Sequence, residues 1–495
     1  MIKSEQMCLL LFLLLCFSVF ISLTNALSES EVVGNAPTAH ITKGMIIDAG
    51  SGGSRLHIYT WAPRIVKTLP APISFPTADE KFTGRMDPGI GDIGSDPLIS
   101  DEEIKVRVAL HLAPLIDYAK KVLAGDEDNF KYYPIYFKAT GGMREVNLND
   151  RERIMSWIRI HMSDTNFCPF FFQPEMARVI SGEEEAIFSW SAMNFLFGNL
   201  LSQSQGTGEV RDDDVNATFG TLDLGGSSTQ IAFYVPNQDI SLGLYKLQIG
   251  GNKFWNVYTN SFLQFGVNSA RRRHLARLCA DAAASKGWRP LSLSEIEDAS
   301  SPFSVQDTTS SKPKFPTISP TSNTYQVLDF CFHSGYSETV PNAAQGYSVE
   351  VSGPSAPTFD QLDRCRKTLL PLMEKDANSY CNIAYHGECS IGGAYQPSLP
   401  VGKHGHFIGT SSYKDPWRFL KLPPTASLAL FEERARHVCS LSYHEILQYI
   451  RSNNLTSLSI ISQNFCFLSS YTLTLLKGKT RSFRILFFFL LILIQ

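Results

Sequence analysis

The sequence carries little net charge and lacks the short motifs of several common classes of enzyme. Its 44 basic residues are balanced by 47 acidic residues, so no overall field attracts it to nucleic acid or anionic lipid. No G-x-x-x-x-G-K-[ST] occurs, which excludes a P-loop enzyme, and no C-x-x-C spacing points to zinc. Residues 89–94 match G-x-G-x-x-G but follow Asp87-Pro88 rather than a strand, so we reject a dinucleotide fold and keep a polar loop near a cleft as a possibility. Recognition of a charged ligand must therefore be local.

An apolar run near the N-terminus predicts entry into the secretory pathway. Residues 7–23 are apolar with few interruptions, Lys3 precedes them, and Thr24-Asn25-Ala26 has the small-residue spacing of a signal-peptidase site. Because the run is about as long as the shortest membrane-spanning helices, residues 1–26 are a signal peptide or an N-terminal membrane anchor. We expect a protein of the cell surface or of the Golgi or ER membrane, or a secreted protein if the run is cleaved.

The cysteines outside that run favour disulfides. There are eight of them, an even number that suits an oxidising compartment: Cys168, Cys279, Cys331, Cys365, Cys381, Cys389, Cys439 and Cys466. Asn216-Ala-Thr and Asn454-Leu-Thr are candidate glycosylation sites. Both features agree with the secretory pathway.

The 495 residues, 44% of them hydrophobic, are sufficient for a large globular core. Strand patterns over 133–138 and 178–180 end in small or polar residues, and Ser100 with Glu103 predicts a capping box before a helix. Residues 286–325 are rich in Ser, Thr and Pro and predict a surface insertion. Alternating strands and helices indicate an α/β fold.

Two strand–turn–strand units resemble each other. Residues 45–47 form a buried strand pattern that leads into Asp48 and a glycine- and serine-rich tip, and residues 219–224 lead likewise into Asp223 and a similar tip. Backbone N–H groups of such tips converge on anions, and an aspartate at each strand end can hold a divalent cation through its waters. Either tip alone also fits an ordinary tight turn. The pair favours an internal duplication that places two phosphate-binding tips face to face.

A helix predicted to begin at Ser181 has three acidic residues in its first turn. A capping box from Ser181 to Glu184 and compensation of the helix dipole explain two of them. Glu185 lies about 100° around the helix from Glu184, where it can reach a cleft as a general base. At this point a purely structural role for Glu185 stays open.

Four segments, taken together, resemble the signature segments of the ecto-nucleoside triphosphate diphosphohydrolase, or apyrase, family. They are residues 46–55, 138–144, 179–186 and 222–230. The resemblance covers roughly residues 43–475. It implies two ribonuclease-H-like lobes of the actin and hexokinase type, with the active site in the cleft between them. By position the lobes would be residues 41–180 and 181–476.

The resemblance also implies the chemistry. Glu185 matches the catalytic base, Ser228 and Gln230 match water-positioning and metal-shell residues, and Asp48 and Asp223 match the residues that hold the waters of Ca²⁺ or Mg²⁺. The implied phosphate-binding residues are Ser51, Gly52, Gly53, Ser54, Thr140, Gly225, Gly226 and Ser227. The implied reaction is in-line attack of water on nucleoside tri- and diphosphates, giving monophosphates and phosphate without a phosphoenzyme. No nucleic acid partner is expected.

The sequence departs from the family pattern in three places. Gly141 replaces the usual alanine, Ala186 replaces the usual glycine after the base, and the fifth signature segment is absent from the atypical C-terminus, residues 477–495. We therefore keep open a nucleotide-binding but inactive form of the protein, and also an exopolyphosphatase-like phosphohydrolase. The arginines at 271–273 and the aromatic segments 331–336 and 413–417 fit either a ligand contact or ordinary packing.

Overall fold

The structure is a computed structural model of the chain. It describes residues 42–61, 79–95, 98–200, 208–209, 218–236, 242–249, 253–285, 324–342, 347–373, 390–400, 402–423, 425–455 and 464–477. The predicted N-terminal segment, most of the predicted insertion, Asn216, Cys381, Cys389 and the terminal stretch after Lys477 lie outside the described residues.

The chain forms two compact units. The first contains residues up to Leu263 together with Pro400–Thr410, and the second contains Gln264–Leu399 and residues from Ser411 onward. The predicted lobes, 41–180 and 181–476, are a different division and stay a prediction.

The first unit contains a five-stranded sheet with the order β3-β2-β1-β4-β5. Its strands are β1 (Thr42–Gly50), β2 (Gly53–Trp61), β3 (Asp79–Met86), β4 (Ile135–Ala139) and β5 (Ala177–Val179). The pairs β1–β2 and β2–β3 are antiparallel, whereas β1–β4 and β4–β5 are parallel. Three antiparallel strands followed by two parallel ones form a ribonuclease-H-like sheet, as the family resemblance implied.

Helices of the first unit connect and cover these strands. They are α1 (Asp101–Val122), α2 (Gly141–Glu145), α3 (Leu148–Ser163) and α4 (Gly182–Leu196). The apolar positions predicted for α1, such as Ile104 and Leu112, are buried in the core against the sheet. Ser100 caps α1 by accepting from the Glu103 N–H, but the Glu103 carboxylate pairs with Arg107, so the predicted capping box is incomplete.

A second sheet in the first unit repeats the strand order of the first sheet. It contains β6 (Gly208–Glu209), β7 (Phe219–Leu224), β8 (Ser228–Tyr234), β9 (Leu244–Gln248) and β10 (Lys253–Leu263). Strand β8 pairs antiparallel with β7 on one side and with β10 on the other. The strand His406–Ser411 lies on the other side of β7. The order β10-β8-β7 followed by His406–Ser411 therefore corresponds to the order β3-β2-β1-β4 in the first sheet. The duplicated α/β fold class predicted from the sequence is confirmed.

The second unit combines a small sheet with helices. The sheet contains β11 (Thr324–Leu328), β12 (Ser337–Asn342) and β13 (Tyr347–Ser352), with β13 in the centre. The strand His406–Ser411, which pairs with β7 in the other sheet, is numbered β14 in chain order. The helices are α5 (Val267–Ser285), α6 (Gln361–Leu369), α7 (Lys414–Phe419), α8 (Leu428–Cys439), α9 (Tyr443–Ser452) and α10 (Phe465–Lys477). Every residue of α10 except Lys477 is buried, and α10 packs against α6 and α8.

Side-chain packing and polar contacts within this unit account for four residues whose role, structural or ligand-binding, the sequence left open. Arg271 forms an ion pair with Glu338, and Arg273 donates to the Leu372 carbonyl. Tyr413 and Trp417 are buried. These contacts favour the structural interpretation of all four residues over a role in ligand binding.

Two disulfides are present in the described residues, and both lie in the second unit. They join Cys331 to Cys365 and Cys439 to Cys466. The prediction of disulfides is confirmed for these four cysteines, whereas Cys168 and Cys279 are free and buried. Burial in apolar surroundings suits an unpaired cysteine because a thiol packs like a small hydrophobic group.

Candidate active site

The two predicted aspartates occupy equivalent positions in two hairpins of the first unit. Asp48 pairs with Arg55 across β1 and β2, and Asp223 pairs with Gln230 across β7 and β8. In each hairpin the partner lies seven positions after the aspartate. The two tips therefore share one register, which supports an internal duplication.

The short helix α2 contacts both tips. A β-carbon added at Gly142 would lie 2.8 Å from the Cα atom of Ser51 in the first tip. A β-carbon added at Gly141 would lie 2.7 Å from the Ser228 hydroxyl oxygen of the second tip. Both distances are shorter than van der Waals contact, so only glycine allows these approaches. An alanine at position 141 would not fit here without displacement of the Ser228 side chain.

The glycine-rich segment at residues 89–94 also packs against the first tip. It forms a short 3₁₀ helix, Ile90–Ser95, and a β-carbon added at Gly89 would lie 2.4 Å from the Ser51 carbonyl oxygen. Gly91 in turn approaches Gly142, with 2.9 Å between its added β-carbon and the Gly142 carbonyl oxygen. The segment thus holds the first tip and α2 together.

Glu185 lies in the first turn of α4, held by hydrogen bonds from two directions. Ser181 caps the helix in a complete capping box with Glu184, as predicted, which leaves Glu185 free of the cap. Its Oε2 atom accepts from Arg144 Nη2 at 2.7 Å and from Gln230 Nε2 at 3.0 Å. The side chain is 19% exposed, so a small molecule can reach it.

The surroundings raise the pKa of Glu185 to about 7. Burial is the largest cause, because it penalises the charged carboxylate, and the negative charges of Asp223 and Asp48 act in the same direction. The Arg144 guanidinium opposes them by favouring the carboxylate. A carboxyl with a pKa near neutrality is suited to exchange protons at physiological pH.

Ser228 and Gln230 form one network with this carboxylate. The Ser228 oxygen accepts from Arg144 Nη2 at 3.0 Å and from Gln230 Nε2 at 2.7 Å. Gln230 Nε2 also reaches Ser261 Oγ on β10, at 3.2 Å. Because a serine oxygen has two lone pairs, these contacts leave the Ser228 proton as the group that remains for another acceptor.

The remaining residues predicted in the second tip surround its turn. Gly225 donates its N–H to the Ser228 carbonyl at 3.0 Å, and Gly226 is half-buried between the strands. Ser227 is buried and donates to Glu145 Oε2 at 3.0 Å. The Ser227 hydroxyl therefore has an acceptor within the protein.

The residues predicted in the first tip do not all face outward. Ser51 is half-buried, Gly52 is exposed and Gly53 is buried. Ser54 is fully buried, and its hydroxyl is 2.7 Å from His111 Nε2 on α1. Burial lowers the pKa of His111 to about 4, so its ring is neutral. The Ser54 hydroxyl is thus in contact with α1 in the core, and a contact of Ser54 with phosphate stays a prediction.

Thr140 directly precedes α2. Its N–H and its hydroxyl both point at the Ala49 carbonyl of β1, at 3.2 and 3.5 Å. Thr140 thus joins α2 to the strand that carries Asp48.

A model of the GDA1/CD39 (nucleoside phosphatase) family matches residues 38–480. The chain belongs to this family. Membership confirms the family predicted from the four segments and the enzyme class, a nucleoside triphosphate diphosphohydrolase.

Similar proteins include the ectonucleoside triphosphate diphosphohydrolase 1 of Bos taurus, which is 25% identical over 94% of this chain and 79% of that protein. The Golgi apyrase of Saccharomyces cerevisiae is 25% identical over 88% of this chain, which spans 63% of the yeast protein. Among solved structures, a nucleoside triphosphate hydrolase from Neospora caninum covers 78% of this chain and 66% of its own, at 14% identity and a TM-score of 0.40.

The donor set of this nucleoside phosphatase fits a hard divalent cation. Asp48 and Asp223 both act electrostatically on Glu185, so three carboxyl groups converge where Arg144 is a nearby cation. The Oε1 atom of Gln230 is buried and has no hydrogen-bond partner among the described residues. Carboxylate and amide oxygens are the ligands that Ca²⁺ and Mg²⁺ prefer.

Another cluster that resembles a metal site lies in the second unit, among the residues described. His274, Asp329 and Cys331 are close together and buried. However, Cys331 is bonded to Cys365, and His274 is hydrogen bonded to Asp329 at 3.0 Å. A disulfide sulfur is not a thiolate ligand, so the cluster is structural.

Sequence reasoning missed three residues of the site: Arg144, Glu145 and Ser261. Arg144 ends the family-like segment 138–144, but its spacing gave no sign that it reaches β8 and α4 at once. The available signal was a cation two positions after the pair Gly141-Gly142. Glu145 and Ser261 had none, because their contacts depend on tertiary structure.

Proposed function

We propose that this nucleoside phosphatase hydrolyses nucleoside tri- and diphosphates to monophosphates and orthophosphate, with Ca²⁺ or Mg²⁺ required. The observation that carries the proposal is the half-buried Glu185 carboxyl, held by Arg144 and Gln230 between two glycine-rich tips. The names of the bovine and yeast relatives support the substrate class.

In the proposed reaction Glu185 is the general base. As a carboxylate it takes a proton from water while the water oxygen bonds to the terminal phosphorus and the bridging P–O bond breaks. Gln230 and Arg144 fix the orientation of the carboxylate, and Ser228, whose oxygen already accepts two hydrogen bonds, offers its proton to the attacking water or to a phosphate oxygen.

The tips bind the phosphates in this proposal. Backbone N–H groups of residues 51–53 and 225–227, with the hydroxyl of Ser51, surround the phosphate oxygens. Asp48 and Asp223 would hold the cation through its waters, and the bound cation would supply charge neutralisation for the phosphates.

We also propose that the protein acts in the secretory pathway, outside the cytosol. The two disulfides of the second unit and the Golgi and ecto-enzyme names of the relatives support this location. Among the described residues, no helix has the length and apolar character needed to cross a membrane. Membrane attachment and glycosylation stay predictions from the sequence.

Replacement of the base tests the proposed mechanism. For Glu185→Gln we expect orthophosphate release from ATP and ADP, measured with Ca²⁺ or Mg²⁺, to fall by about 10²–10⁴-fold. Binding of a nonhydrolysable nucleotide should persist, because the amide keeps the shape of the side chain. Glu183→Gln, in the same helical turn, is the matched control and should retain activity.

Release that persists undiminished in Glu185→Gln would show that the base is assigned wrongly. If the wild-type chain binds nucleotide without any turnover, the alternative of an inactive binding protein holds instead. Faster release from polyphosphate than from nucleotides would favour the exopolyphosphatase-like alternative.

A further inference from the structure

Glu145 is a carboxylate at the second tip that the proposed reaction does not use. It is the last residue of α2, and it lies half-buried beside Ser227. Ser227 Oγ donates to its Oε2 atom at 3.0 Å. Glu145 follows Arg144, whose guanidinium contacts Ser228 and Glu185, so neighbouring residues of α2 contact neighbouring serines of the tip.

The Ser227–Glu145 contact limits what the serine can offer to a ligand. A serine hydroxyl has a single proton, and a carboxylate has none to give. While Ser227 donates to Glu145, only its lone pairs remain, and phosphate oxygens require donors. The backbone N–H groups of residues 225–227 stay available to phosphate, but a phosphate oxygen that accepts from the Ser227 hydroxyl must compete with Glu145 for its proton.

The charge of Glu145 acts in the same direction. A carboxylate and a phosphate at one tip repel each other, and partial burial weakens the screening of that repulsion by water. The helix α2 lies directly against the tip, because a β-carbon added at Gly141 would lie 2.7 Å from the Ser228 hydroxyl oxygen and 3.2 Å from the Ser227 β-carbon. The hydrogen bond from Ser227 fixes the Glu145 carboxylate on the same side. Glu145 is thus held close to the position that a phosphate would occupy.

We propose that Glu145 is a positioning residue that weakens the binding of orthophosphate at the second tip, by engaging the Ser227 hydroxyl and by its charge. The inference rests on the proposed function, because it assigns orthophosphate to this tip as a product. Its consequence is rapid product release and weak inhibition by phosphate.

Inhibition of ATP hydrolysis by orthophosphate tests this inference. For Glu145→Gln, which keeps the size of the side chain and removes the charge, we expect the inhibition constant of orthophosphate to fall about tenfold. Glu145→Asp keeps the charge and should stay within about threefold of wild type. Glu102→Gln, an exposed residue on the outside of α1, is the surface control and should change nothing.

A second variant addresses the hydrogen bond alone. If the Ser227 proton is committed to Glu145, Ser227→Ala should alter the inhibition constant less than about threefold in the wild-type background. In the Glu145→Gln background, Ser227→Ala should reverse part of the fall in the inhibition constant. The difference between its effects in the two backgrounds measures the coupling of Ser227 and Glu145.

Two results would overturn the inference. One is an unchanged or larger inhibition constant in Glu145→Gln with an unfolding temperature like that of wild type. The other is a tenfold loss of phosphate affinity in Ser227→Ala alone. If no variant hydrolyses nucleotide, the proposed function fails, and calorimetric titration of orthophosphate with Mg²⁺ into wild type and Glu145→Gln still decides the inference by the same tenfold difference.

Discussion

The two hairpin tips share one backbone arrangement but carry different side chains. Because Asp48 and Asp223 are equivalent in register, Gly52 and Gly53 of the first tip correspond to Ser227 and Ser228 of the second. Two positions further along the strand, Arg55 in the first hairpin corresponds to Gln230 in the second. The first tip thus offers the Ser51 hydroxyl beside its backbone, whereas the second offers two serine hydroxyls and the Gln230 amide.

The supports of the two tips differ in the same way. The first tip is fixed by close backbone approaches from Gly89 and Gly142. The second is fixed by side-chain hydrogen bonds: Arg144 donates to Ser228, and Ser227 donates to Glu145. Under the proposed function, the two hairpins are similar anion-binding turns, and side chains on the second one orient the base and its water.

The largest effect is expected when the second tip is made like the first. Ser228→Gly gives the second tip the glycine that the first tip has at the equivalent position, Gly53, and removes a hydroxyl from the network. We expect kcat for ATP to fall about 10²–10³-fold, as when one preorganised donor is removed from other active sites. Steady-state kinetics and nucleotide binding check this, and a fall in affinity alone would assign Ser228 to binding only.

An intermediate effect is expected from Arg144, which serves the second tip and the base together. For Arg144→Gln we expect about a 10–100-fold loss of kcat, because Glu185 and Ser228 both lose a charged donor. The pH profile gives a sharper test. Glu185 is a base only as a carboxylate, so turnover falls as the pH drops through its pKa, and loss of the Arg144 charge should move that decline to higher pH.

If turnover declines at the same acidic pH in Arg144→Gln and in wild type, the assignment of this acid limb of the pH profile to Glu185 is contradicted. Arg144→Lys is the matched variant: it keeps a positive charge but not the paired donors. It should restore the position of the limb more fully than it restores kcat.

The smallest effect is expected when the backbone support of the first tip is disturbed. Gly142→Ala places a β-carbon 2.8 Å from Ser51 Cα, so we expect KM for ATP to rise about tenfold while kcat changes less. Gly52→Ala is the comparison, because its added β-carbon meets no atom within 4 Å. Equal increases of KM in both variants would mean that the approach of α2 does not position the first tip.

The sequence predicted the strands and glycine-rich tips because period, turn chemistry and capping are local properties. The strand over 219–224 and the capping box at Ser181 were found as predicted. The side-chain network was not predictable, because the contacts of Arg144 span 36 to 84 positions. Ser54 shows this limit most clearly. Its place in a polar motif predicts contact with a ligand, and only the tertiary structure shows the contact of its hydroxyl with His111.

The distribution of cysteines separates the two units by their dependence on oxidative folding. Both described disulfides cross-link the second unit, whereas the residues around Glu185 belong to the first. Burial raises the pKa of the Cys168 thiol, in the first unit, to about 11, which keeps it protonated and slow in thiol–disulfide exchange. A reducing environment therefore removes the described cross-links of the second unit and leaves the hydrogen bonds around the base chemically untouched.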